Sequence, residues 1–261
     1  TVRYFWDNNG TENPTSEYGV SFYKAKQYAR EGWPEGTERV ARLRDKINAQ
    51  NPVGPRLVKY DVAGAYPIVP RAIAGNPMSM RRHDSARLRR KPVITLVNHM
   101  GGLMVVPAEC FVNKCAVVAA IVDAIENAGY SCHVVGLSMT SVEASYSSYL
   151  CGYATTIKQP GESVDIARMA FALGHVSMFR RLVFSVRGSN QRNAPLGHSL
   201  GSTIDFPPHE PLPATYILPS MNTNYQYFKD ENTAATAGLK YLIQYLAAQG
   251  GPAFPNLSQA A

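Results

Sequence analysis

The sequence predicts an α/β protein with a doubly wound, mostly parallel sheet, preceded by a helical and extended N-terminal arm. Three observations predict it. From residue 92 onward, short apolar runs of strand length alternate with longer segments of helical periodicity. Such alternation implies parallel strands joined by crossover helices that cover both faces of a sheet. The first run, PVITLV at 92–97, is continuously apolar, as a strand buried on both sides requires. The N-terminal third instead carries charge-alternating helices and a proline-rich stretch, neither of which suits a central strand. The division that follows is 1–91 for the arm and 92–261 for the core.

Each element has its own reason. Ser16 is placed to cap a helix through YGVSFYKAKQYAR, and Gly32 ends it. Pro34 then opens a second helix at a position where its missing N–H costs nothing. That helix, GTERVARLRDKINAQ, turns Val40, Leu43 and Ile47 inward. The segment 51–78 carries prolines at 52, 55, 67, 70 and 77 and is expected to lie extended over the body. After PVITLV, the stretch 110–129 is apolar around most of its helical circumference and stops at Gly129. SCHVVGLS (131–138) is a second strand and YATTIK (153–158) a third, near an edge. Residues 163–174 form a helix between Ser163 and Gly174. FRRLVFSVRG (179–188) is expected as a fourth strand and ATYILPS (214–220) as a fifth. The terminal helix, 232–251, spaces Leu239, Leu242, Ile243 and Leu246 along one face.

Composition narrows the function. Of 261 residues, 45% are hydrophobic and 17% charged, a globular balance. No apolar run approaches the roughly 20 residues that span a bilayer. TVRYFWDNNG has neither the basic start nor the apolar centre of a signal peptide, so a cytoplasmic location is expected and no membrane partner. Cys110, Cys115, Cys132 and Cys151 match no metal-knuckle spacing and read as free thiols in a reducing compartment. The net charge of +7 favours polyanionic partners.

The charge is unevenly spread. Arg81, Arg82, Arg87, Arg89, Arg90 and Lys91 crowd around a single acid, Asp84. A second group, Arg180, Arg181 and Arg187, brackets the expected fourth strand, and Arg192 follows it. Guanidinium groups pair with phosphate and stack on bases. Tyr146, Tyr149 and Tyr225 are available as stacking platforms, the combination used by sequence-tolerant single-strand binders. Where a parallel sheet places its ligands, beyond the carboxyl ends of the strands, the sequence offers Asn98, His99, Ser138, Thr140, Ser141, Ser189, Asn190, Ser220, Asn222 and Asn224. These amides and hydroxyls hold ligands or satisfy loop backbone, but supply no general base apart from His99. GxSxG, GxGxxG and GxxxxGK[ST] are absent, and no two histidines have metal-ligand spacing. No catalytic residue, metal or cofactor is therefore predicted.

Two resemblances add to this reading. The order strand, polar loop, helix, strand, edge strand, helix, strand, strand, terminal helix over 92 to about 249 resembles a von Willebrand A-type domain, a Rossmann-like fold. That resemblance implies a metal loop of the form Asp-x-Ser-x-Ser after the first strand. The three ligand places fall on Asn98, Met100 and Gly102, so the expectation is a vacated site. GWPEG (32–36), DVAGAYPIVPRAIAGNP (61–77) with the following Met, and IVDAIENAGYSCHV (121–134) resemble an uncharacterised family encoded mostly by tailed bacteriophages. This implies a viral accessory protein in the cytoplasm of the bacterial host, with phage or host proteins as partners. The leading expectation is a non-enzymatic binder of single-stranded nucleic acid. The alternative is an assembly module, homo-oligomeric or not, that docks through Leu103, Met104, Val105 and Val106. A third is an enzyme using the rim around His99.

Overall fold

The structure, a computed structural model, describes residues 19–51, 60–63, 66–81, 92–103, 105–144, 147–189, 202–203 and 214–251. The chain divides into two compact units, one formed by Thr1–Pro52 with Val93–Ala261, the other by Val53–Pro92. The two N-terminal helices thus belong with the sheet. The second unit is the proline-rich segment alone.

The larger unit begins with α1 (Phe22–Glu31) and α2 (Pro34–Gln50). Ser21, not Ser16, caps α1: its hydroxyl accepts from the Lys24 amide at 3.3 Å, and Ser16 lies outside the described residues. Gly32 ends the helix at φ 90, a conformation that favours glycine. Pro34 opens α2, and Val40, Leu43 and Ile47 are buried along one side, as their spacing demands.

The smaller unit holds β1 (Tyr60–Asp61), β2 (Tyr66–Pro67), a short α3 (Val69–Ile73) and β3 (Met80–Arg81). The strands form an antiparallel sheet in the order β1-β3-β2, where an extended segment was expected. Each strand is two residues long. None of the described side chains of this unit is buried.

The larger unit resumes with β4 (Val93–His99), which runs parallel to both β5 (Ser131–Ala144) and β8 (Thr215–Leu218). β6 (Ser147–Lys158) returns antiparallel along β5 as the edge strand, giving the order β6-β5-β4-β8. The sheet is therefore mostly parallel and open. β7 (Ser202–Thr203) pairs antiparallel with Thr140 and Ser141 of β5, beyond the end of β4. The second strand is thus longer than expected, and Thr140 and Ser141 lie within it rather than in a loop after it. β4 and β5 are joined by α4 (Ala108–Asn127), apolar and buried over most of its length.

α5 (Ile166–Gly174) is capped by the Asp165 carboxylate, which accepts from the Arg168 amide at 3.0 Å; Asp165, not Ser163, opens it. The expected fourth strand, 179–188, is helical instead: a π-helical turn over Met178–Val183 leads into α6 (Phe184–Ser189). The reason lies in the spacing of Phe179, Val183 and Phe184, all buried. A strand would alternate Phe179, Arg181 and Val183 on one face, whereas a helix brings the three apolar residues together. The wider π turn also carries Arg180 and Arg181 inward. A 3₁₀ turn at Tyr225–Phe228, the short α7 (Glu231–Thr233), a π turn at Ala234–Gly238 and α8 (Leu239–Ala248) complete the described chain.

The core takes Ile94, Leu96, Cys132 and Val134 from one face of the sheet and packs them against α2, α4, α5 and α8. Val97, Val135, Leu137 and Ile217 alternate to the other face, half-buried and outside that cluster. The outer edge of β8 is closed by one side chain. The Gln249 amide accepts from Ile217 N–H and donates to Ile217 C=O, both at 2.8 Å, as a neighbouring strand would. Among the described residues no single helix is long and apolar enough to cross a membrane.

Candidate functional site

The carboxyl end of β4 is where a parallel sheet would place a ligand, and there the structure is filled. Asn98, His99, Met100, Gly101 and Gly102 are all buried. Met100 donates its amide to Leu137 C=O at 2.7 Å and lays its thioether over Gly136, where a Cβ would meet the sulfur at 2.6 Å. Gly102 passes so close to Phe111 and Met221 that a Cβ would meet them at 2.8 and 2.9 Å. The chain then bridges to Met221 as a parallel extension of the β4–β8 pairing. His99 Nδ1 accepts from the Gly101 amide at 3.0 Å, which fixes the ring in the turn.

Cations beneath this end have structural work. Lys114 Nζ, buried on α4, donates to Pro219 C=O at 2.6 Å and His99 C=O at 3.2 Å, joining the ends of β8 and β4. Arg180 and Arg181, each 1% exposed, donate to Leu103 C=O and Val20 C=O. These two arginines were expected to bracket a strand; the π turn instead holds them inside. Asn98 Oδ1 and Asn224 Oδ1 are buried with no partner among the described residues. Among the described residues, no three His, Cys, Asp or Glu side chains gather as a metal site.

The predicted nucleic-acid residues fall as follows. Arg82, Arg87, Arg89, Arg90, Lys91, Arg192 and Tyr146 lie outside the described residues. Arg81 is on β3 of the smaller unit, in register with Tyr60 and Tyr66. Tyr149 is on β6 opposite Val142, and Arg187 is in α6. Tyr225 opens the 3₁₀ turn and packs half-buried against the core. Cys110, Cys115 and Cys132 are buried free thiols. Burial pushes Cys115 and Cys132 up to about 12, so the reactive thiolate is not populated at neutral pH.

Elsewhere among the described residues of the larger unit lies a cleft of about 570 Å³. Its walls come from α1 (Lys24, Tyr28), the start of α2 (Trp33, Glu35, Arg39), the first turn of α4 (Glu109, Val112) and the end of α5 (Gly174, His175). The size is that of a small-molecule site. Its aromatic wall is continuous: His175 meets Trp33 edge-on at 4.4 Å, and Tyr28 lies 5.7 Å from His175 and 6.4 Å from Trp33. Gly36 makes this possible, since a Cβ there would meet the Trp33 ring at 2.0 Å.

The electrostatics are specific. His175 Nδ1 accepts from the Ser177 amide at 3.0 Å, and burial presses its pKa down to about 4. The ring is therefore neutral at neutral pH, with its proton on Nε2. Lys24 Nζ sits 5.0 Å above the Tyr28 ring. Burial, and secondarily Glu35, raises the Tyr28 phenol, which stays protonated. Beside the cleft, Tyr23, Lys26, Gln27 and Arg30 form the exposed face of α1, at spacings that put them on one side of the helix. Sequence reading passed over this site because its residues come from four separate elements. The legible signal was the basic and aromatic spacing of FYKAKQYAR itself.

A family model for a domain of unknown function (DUF7192) matches residues 5–251. No curated protein and no solved structure matches the chain.

Proposed function

We propose a binding role for this chain, which belongs to the DUF7192 family: it holds single-stranded nucleic acid without transforming it. The observation that carries this reading is the cleft, where Tyr28, Trp33 and His175 form an aromatic wall beside Lys24 and Arg39. Aromatic faces accept bases of any sequence, and flanking cations hold phosphates. Tyr23, 68% exposed, with Lys26 and Arg30 on the adjoining face of α1, extends the basic track. The arginine-rich stretch from Arg81 to Lys91 supplies a second set of phosphate contacts in this reading.

The core reads as a von Willebrand A-like sheet, although the described helices pack on the face of Ile94, Leu96, Cys132 and Val134 and not on both faces as a doubly wound sheet would have them. The order β6-β5-β4-β8 and the antiparallel edge hairpin support that assignment, and the ligand places of its metal loop fall on buried Asn98, Met100 and Gly102. The motifs around GWPEG and DVAGAYP support a phage accessory protein that acts in the cytoplasm of the bacterial host.

Fluorescence anisotropy with a labelled single-stranded oligonucleotide tests the reading. Binding is expected at about 50 mM salt and should weaken steeply by about 200 mM, as counterion release requires. Lys26→Glu with Arg30→Glu, both on the exposed face of α1, should weaken it at least tenfold, by roughly the loss of two phosphate contacts. Absence of binding at low salt, or indifference to the double substitution, rejects the site.

A second reading, an assembly module, rests on exposed apolar side chains. Val69 and Ile73 of α3 are 58% and 82% exposed, and Val105 after β4 is 74% exposed. Val69 and Ile73, one helical turn apart on α3, share a face, and apolar exposure of that kind marks interaction surfaces.

A further inference from the structure

If the cleft takes a base, as the preceding reading holds, its walls say which one. Among the described residues, neither Glu35 nor Glu109 has a hydrogen-bond or ion-pair partner, and nor does Arg39. Both carboxylates stand in first helical turns, where the helix dipole favours negative charge. That placement accounts for their charge, but not for their facing a cleft walled by aromatic rings and cations. A carboxylate only accepts hydrogen bonds. Guanine alone presents two adjacent donors, N1–H and the N2 amino group, on its pairing edge. Adenine and cytosine offer one amino group beside a ring nitrogen lone pair, and the N3–H of uracil or thymine lies between two carbonyl oxygens. Each of the latter three sets an acceptor against the carboxylate.

We propose that the cleft binds a guanine nucleotide, free or as one residue of a strand. The base lies on the wall of Tyr28, Trp33 and His175, its N1–H and N2 amino edge donates to Glu35 or Glu109, and its phosphate meets Lys24 or Arg39. Flat ring, donor edge and anion each find a matching group in the one cleft.

Isothermal titration of the full chain with GMP, IMP, AMP, CMP and UMP tests this. GMP should bind about tenfold tighter than AMP, CMP or UMP, the scale of a bidentate base contact. IMP, which lacks the N2 amino group, should fall between. Glu35→Gln and Glu109→Gln are made singly and together, with circular dichroism to establish folding. The double variant should bind GMP no better than AMP, and one single variant should account for most of the loss. Equal affinity for all five nucleotides, or a GMP preference that survives the double substitution, overturns the proposal. Oligonucleotides with and without one guanine separate the sources. Equal binding of both leaves strand binding standing and removes the guanine site. GMP binding without oligonucleotide binding keeps the guanine site and removes the strand. If neither binds at low salt, both fall.

Discussion

His175 shows how one side chain can carry both packing and pH dependence. It sits among Tyr28, Trp33 and Phe171, and burial holds its pKa near 4 against an ordinary 6.5. The unfolded chain therefore binds a proton between these values that the folded chain refuses. Stability contributed by the neutral ring is complete above about pH 6.5 and is lost as pH falls toward 4, by up to about 3 kcal/mol. Urea midpoints at pH 7 and 4.5 measure this, and His175→Phe should flatten the difference relative to the parent chain. Gly36 is the second residue with a sharp outcome. Gly36→Ala sets a methyl group into the Trp33 ring, so Trp33 must leave its seat. The expected cost is about 1–3 kcal/mol in chemical denaturation, with ligand binding in the cleft reduced at least as strongly as stability.

Among the elements, those whose residues alternate or repeat unambiguously were legible in the sequence. The core strand at 93–99, the buried α4 and the inward stripe of α2 all follow from periodicity alone. The segment 179–188 was not, because FRRLVFSV fits both a two-residue and a four-residue repeat. What decides it is tertiary: buried Arg180 and Arg181 reach carbonyls on Leu103 and Val20, partners that no local pattern reveals. The same holds for the edge of β8, which is closed from 32 residues away by Gln249. Gln249→Ala removes both bonds and leaves the Ile217 N–H and C=O without their partner. It should destabilise the chain by about 1–3 kcal/mol and speed hydrogen exchange at the Ile217 amide before other strand amides change.

For the molecule as a whole, the candidate site was less legible than the fold. Polar residues at strand ends looked like a ligand rim, yet packing turned them into an internal ledge around Asn98 and His99. The cleft, by contrast, is assembled from residues as distant as Lys24 and His175, and only the folded chain brings them together. Assembly is argued at this scale too. If the exposed apolar residues of the smaller unit dock a second copy, light scattering should give an oligomer that persists at high salt. Ile73→Asp with Val69→Asp should return it to a monomer, whereas an unchanged monomeric mass in the parent chain removes the assembly reading. A last consequence follows from the unequal lengths of β4 and β5. β4 gives register to β5 only as far as Leu137, while the β5–β6 hairpin runs on to Ala144 and Ser147. Among the described residues only β7 flanks that outer half on the β4 side. Ser138, Met139 and Thr140 are nonetheless buried there, so β5 stays seated beyond the reach of β4.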